Sequence, residues 1–183
     1  MRHYFFLKNN WYFLTYRTKH SFPVLGYVWA KELILDRIDA VYFKTNDYFS
    51  FSILDNHFHL LVFVEDAKVF SKKLQYIIGG SAFEINKKLG CRGSIWGRHF
   101  VLPVNGENNL FRVSSYVLGN PLRHGLVKDL NELYQYRFAN FYQFYDRSGK
   151  AFAENLVLSG LKLKVSEEAE EKFWRDIIGN GRI

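Results

Sequence analysis

The sequence predicts an α/β protein, a sandwich of helices packed on a sheet, and three observations carry that expectation. Aromatic and β-branched runs alternate with stretches of helical periodicity in the order strand, helix, strand, helix, strand, helix. Hydrophobic residues make up 48% of the chain and charged residues 23%, a balance that excludes disorder throughout. At 183 residues there is room for one domain with a short extension and not for two full enzyme domains.

Residues 11–17 (WYFLTYR) are aromatic and β-prone, and His20, Ser21, Pro23 and Gly26 close that strand as a turn. From about Tyr27 to Val41, apolar Val28, Leu33, Leu35, Ile38 and Val41 are interleaved with charges, the pattern of an amphipathic helix. Asn46 and Asp47 break the chain. Residues 48–54 and 57–64 are then β-like runs either side of Asp55-Asn56, as a hairpin or one long bent strand. Helical periodicity returns from Asp66 to about Lys88, with Val69, Phe70, Leu74, Ile77, Ile78, Phe83, Ile85 and Leu89 as candidate core positions. A kink is expected at Gly79-Gly80 and a stop at Gly90. Residues 99–104 (HFVLPV) form a short strand, at a sheet edge because Pro103 has no N–H to give a ladder.

After the Asn105-Gly106 turn, Asn108 or Asn109 can cap a helix that runs through about Gly119. Residues 133–145 (LYQYRFANFYQFY) fit either a helix or an extended arm, and periodicity does not choose. Ser166 then caps a short charged helix in which Glu167, Glu168, Glu170 and Glu171 precede Lys172 and Arg175, complementing the helix dipole.

Lys plus Arg outnumber Asp plus Glu by 25 to 18, and the whole excess of +7 falls in residues 1–149. A basic surface on a chain with 19% aromatic residues suits single-stranded nucleic acid, whose phosphates attract cations and whose bases stack on flat rings. One cysteine, Cys91, cannot form an internal disulfide or a thiolate zinc cage, which is the usage of an intracellular chain. Arg2, His3, Lys8, Asn9 and Asn10 interrupt the N-terminal apolar residues, so no signal peptide is expected. No run approaches the roughly 18 apolar residues of a membrane span. The expected location is cytoplasmic.

Two short segments carry chemistry. In the strand Asn56-His57-Phe58-His59-Leu60-Leu61-Val62, alternation sends His57 and His59 to one face and Phe58, Leu60 and Val62 to the other. Two imidazoles on one face can hold a divalent cation, or they can be a chance pair of polar residues on a half-exposed strand. In Tyr116 to Val127, Tyr116 and Asn120 are four apart and share a helical face. Tyr116 offers a phenolic oxygen as nucleophile and Asn120 an amide oxygen as a third metal ligand. The plainer alternatives are a core aromatic and a C-cap, and Pro121 predicts that the helix kinks or ends there.

Together these segments resemble the single-tyrosine transposases of the HUH nuclease superfamily, in particular the REP-associated branch. The family's Pro-Asn-His-hydrophobic-His-Leu strand lines up with Asp55 to Leu60, and its Tyr-Ile-x-x-Asn-Pro-Val-Arg-Ala-Gly-Leu helix with Tyr116 to Leu126. An aromatic first strand ending in Arg-Thr is similar to Tyr12–Thr18, and a Trp-Gly/Gln-x-Arg/His-Phe stretch to Trp96–Phe100. The resemblance spans about residues 8–130. Asp55 stands where the family often has Pro, and Leu118-Gly119 replace the usual pair between Tyr and Asn.

The resemblance implies a ferredoxin-like sheet with helices packed on it, an HUH-type nuclease core over residues 1–145, and a C-terminal extension over 146–183. It implies Tyr116 as nucleophile, His57, His59 and Asn120 as ligands of Mg²⁺ or Mn²⁺, and a 5′-phosphotyrosine intermediate on single-stranded DNA beside a hairpin or palindromic repeat. Arg92, Arg98, Arg112, Arg123 and Lys128 are the candidate phosphate contacts. A homodimer that exchanges the tyrosine helix and a monomer are both compatible with it. Two other readings stay open: a non-cleaving hairpin-binding protein on the same scaffold, and an RNA-binding sheet with stacking aromatics.

Overall fold

The computed structural model describes residues 8–42, 49–166 and 168–178; the break at Asn46-Asp47 and Glu167 lie outside them. The elements are β1 (Asn10–Thr18), α1 (Val28–Val41), β2 (Phe49–Ile53), β3 (His57–Val64), α2 (Ala67–Leu89), β4 (Trp96–Val104), α3 (Glu107–Arg123), α4 (Leu130–Gln135), α5 (Phe141–Ser148), α6 (Lys150–Leu161) and α7 (Glu170–Ile178). The strands form one antiparallel sheet in the order β2-β3-β1-β4, the ferredoxin-like arrangement. β2 and β3 are a hairpin, closed by a hydrogen bond from Leu54 N to His57 O at 2.8 Å.

Strand alternation divides the core in two. Tyr12, Leu14, Tyr16, Phe58, Leu60 and Val62 pack with Ile34 and Ile38 of α1 and Phe70, Ile77 and Ile85 of α2. On the other face Phe13, Leu61, Phe100 and Leu102 meet Val113, Tyr116 and Val117 of α3 and Trp174 and Ile178 of α7. With helices on both faces, the described residues offer no open sheet of aromatics for RNA to stack on. β4 is an edge strand, as Pro103 requires. No helix among the described residues is long and apolar enough to cross a membrane.

Three expectations meet a different structure. α2 passes through Gly79-Gly80 unbroken, and the Arg37 guanidinium of α1, which bonds Tyr76 O at 2.8 Å, lies where a Cβ at Gly80 would be. Among its expected core positions, Val69 and Phe83 are exposed, in one stripe with Tyr76 at seven-residue steps that faces away from the sheet, and Leu89 is exposed at the last turn. α3 continues through Pro121 to Arg123, since a proline near the helix end removes only one backbone bond. Residues 133–145 are largely helical: α4 ends at Gln135, a turn with a single bridge from Ala139 to Ser52 follows, and α5 begins at Phe141. The turn covers β2, with Ile53 N bonded to Phe138 O and Phe51 N to Asn140 Oδ1, each at 2.8 Å.

α6 lies against α3 at Gly160, where a Cβ would run into the Ser115 carbonyl. Gly160→Ala is therefore expected to destabilise the protein by about 1–3 kcal/mol despite alanine's better helix propensity. A urea midpoint equal to or above that of the parent chain would contradict this packing.

Candidate active site

The register of β1 on β3 sets Thr15 opposite His59 and Arg17 opposite His57, so all four side chains share the face covered by α3 and α7. Both histidines are buried, with ring centroids 4.7 Å apart. His59 Nδ1 lies 2.8 Å from Thr15 Oγ1, and the Thr15 hydroxyl donates to Glu170 Oε1 at 3.3 Å. A hydroxyl has one proton to give, so this chain assigns the bridging proton to His59 Nδ1 and leaves Nε2 a lone pair. His57 Nδ1 lies 2.5 Å from Asn56 Oδ1, which assigns the same tautomer. Burial holds both imidazoles well below their usual pKa. For His57 the charge of Arg17 adds to it, and for His59 the proximity of His57. They are neutral, as metal ligands must be.

Tyr116 and Asn120 lie on one face of α3 and are 3% and 0% exposed. The Tyr116 ring lies 5.3 Å from His59 and 5.0 Å from Trp174, with the Arg123 guanidinium 5.2 Å from its centroid. Its hydroxyl donates to Glu170 Oε1 at 3.1 Å. Burial and the Glu170 carboxylate push the phenol well above its usual pKa, and the nearby Asn120 amide and Arg123 charge oppose that rise. The hydroxyl is protonated at neutral pH.

The pocket's donor set fits a divalent cation. His59 Nε2 and Asn120 Oδ1 are buried polar atoms with no hydrogen-bond partner, a costly arrangement that a bound ion would relieve. Among the described residues no cluster of three or more His, Cys, Asp and Glu is disposed as a metal site. Thr15 and Asn56 orient the rings from behind, as partners of metal-bound histidines do.

The cationic residues divide. Arg98, exposed at the rim, pairs with Glu171 at 3.6 Å and donates to Glu168 O at 3.0 Å. Arg123, expected at a DNA surface, turns inward and donates to Leu163 O at 2.7 Å and to Gly160 O, because the end of α6 leaves carbonyls that need donors. Arg92, Arg112 and Lys128 are exposed on the α2–β4 loop, α3 and the segment before α4. Sequence reasoning about the site passed over Thr15, Arg17, Glu170 and Trp174. Thr15 and Arg17 alternate on one face of an otherwise aromatic strand, which is a signal; Glu170 reads as one of several solvated acids, which is none.

No protein-family model matches the chain, and no curated protein does. Among solved structures, a REP-associated tyrosine transposase bound to a REP hairpin is similar over 81% of this chain and 86% of its own, with TM-score 0.61 and 17% identity. A transposase candidate from Deinococcus radiodurans R1 matches 64% of this chain and 95% of its own, with TM-score 0.42 and 18% identity. The first likeness agrees with the mixed α/β fold and its four-stranded antiparallel sheet.

Proposed function

We propose that this protein is a metal-dependent endonuclease and strand transferase acting on single-stranded DNA beside a hairpin, through a 5′-phosphotyrosine intermediate at Tyr116. The observation that carries the reading is that the Tyr116 ring lies 5.3 Å from His59, itself 4.7 Å from His57, with Asn120 buried one turn further along the same helix. The fold shared with a transposase solved on a REP hairpin, and the basic charge of residues 1–149, support DNA as the substrate.

His57, His59 and Asn120 would hold Mg²⁺ or Mn²⁺, which supplies Lewis-acid polarisation of the scissile phosphate. Tyr116 Oη attacks phosphorus, a Tyr–O–P bond forms and the P–O3′ bond breaks. The proton lost by the phenol is balanced by the one the 3′-oxygen gains as a hydroxyl. Arg123, beside the ring, and the Asn120 amide favour the phenolate and so oppose the cost of burying it. The ester bond energy is kept in the phosphotyrosine link, so a second 3′-hydroxyl can reverse the step without ATP.

The test uses the full chain, an end-labelled hairpin DNA with unpaired flanks, and Mn²⁺, Mg²⁺ or EDTA. A protease-sensitive, slow-migrating band on a denaturing gel is expected with metal and is expected to vanish with chelator. A native-gel shift without any covalent band under either metal would instead favour the non-cleaving hairpin-binding reading.

A further inference from the structure

A buried carboxylate draws three donors together beside the candidate nucleophile. Glu170 is 2% exposed, and its oxygens receive the hydroxyls of Tyr116 at 3.1 Å and Thr15 at 3.3 Å and the Arg17 guanidinium at 3.4 Å. Two of these donors come from β1 and one from the candidate nucleophile, whereas the carboxylate itself enters from α7, at the far end of the chain. Arg98, on the same rim as Arg17, is paired with the next acid, Glu171. A narrow cleft lined by Thr15, Arg17, Arg98, Phe100, Glu170 and Glu171 borders this arrangement.

We infer that Arg17 and Thr15, together with the Tyr116 hydroxyl, form a seat for a DNA phosphate group, and that Glu170 occupies this seat in the structure described. The inference rests on the proposed function and adds to it two phosphate-binding residues on β1. The chemistry of the seat is that of an oxyanion: one fixed cation and two hydroxyl donors converge on two oxygens of a single group, and carboxylate and phosphodiester present such oxygens alike. The position also suits the reaction, because a phosphate oxygen bound by Thr15 and Arg17 lies beside the phenolic oxygen that must reach its phosphorus. Glu170 and DNA then compete. The acid raises the barrier to binding by filling the seat.

The experiment is a two-by-two cycle of Arg17→Gln and Glu170→Gln in the full chain, read by fluorescence anisotropy of labelled dT20 in EDTA, where no cleavage occurs. Glu170→Gln is expected to tighten binding about five- to tenfold and Arg17→Gln to weaken it about tenfold or more. The double variant is expected to match Arg17→Gln within about twofold, since without the seat its occupant no longer matters. Arg17→Gln should also lower the slope of log affinity against log salt by about 0.7, one phosphate contact on a single strand, which a merely structural role would leave unchanged. Arg17→Lys, keeping the charge without the fork, is expected to retain that slope and lose part of the affinity.

Equal tightening by Glu170→Gln in both Arg17 backgrounds, or unchanged affinity and salt slope across the cycle, would overturn the seat while leaving DNA binding intact. If no chain binds dT20 or a hairpin DNA, the proposed function falls first and the seat with it.

Discussion

Tyr116→Phe is expected to abolish the covalent adduct with hairpin DNA, lowering its formation by at least about 10³-fold, to the limit of detection. DNA affinity in EDTA should change by no more than about threefold, because the substitution removes one oxygen and leaves the ring where it is. That ring is held edge-on by Phe13 and Trp174, contacts that phenylalanine keeps. Glu170 keeps Thr15 and Arg17 when the phenol is lost, so the fold should lose only about 1 kcal/mol, the typical worth of one hydrogen bond. A protease-sensitive adduct that persists in Tyr116→Phe would move the nucleophile to another residue and leave the role of α3 to be reassigned.

Trp174→Ala should release α7. Trp174 is fully buried, 5.4 Å from Phe13 and 5.0 Å from Tyr116, and it is the largest apolar side chain that the terminal helix contributes. Truncating a buried tryptophan costs about 3–5 kcal/mol, and it leaves Ile178 as the remaining buried apolar side chain of this nine-residue helix. The expected result is local: backbone amides of Glu170–Ile178 lose roughly 10²- to 10³-fold of their hydrogen-exchange protection, while β1 and β3 retain theirs. Protection that survives at α7 would mean that the polar contacts of Glu170 and Glu171 hold the helix without the indole.

Much of this arrangement is legible in local pattern. Alternation along residues 56–62 puts His57 and His59 on one face and Phe58, Leu60 and Val62 on the other, and the pairing with β1 keeps that division. Spacing along α3 aligns Tyr116 with Asn120, even though Pro121 suggested an earlier end; the helix continues because its last turn can spare a donor. The edge position of β4 follows from one proline. These are properties of the backbone geometry of single elements, and residue type and spacing carry them directly.

By itself, then, the sequence determined which side chains share a face: the two histidines on their strand, the tyrosine and asparagine on their helix, the acids at the head of the last helix. Tertiary structure alone decided what covers each face. Glu170 reaches Thr15 across a separation of 155 residues, Arg123 turns from solvent to the end of α6, and Gly80 makes way for an arginine of α1. The physical reason is that a periodic pattern specifies the direction of a side chain relative to its own backbone, whereas the partner it meets depends on the docking of another element. That docking is set by buried area and by polar contacts between elements, such as those of the Arg17 guanidinium and the Thr15 hydroxyl with a carboxylate from α7.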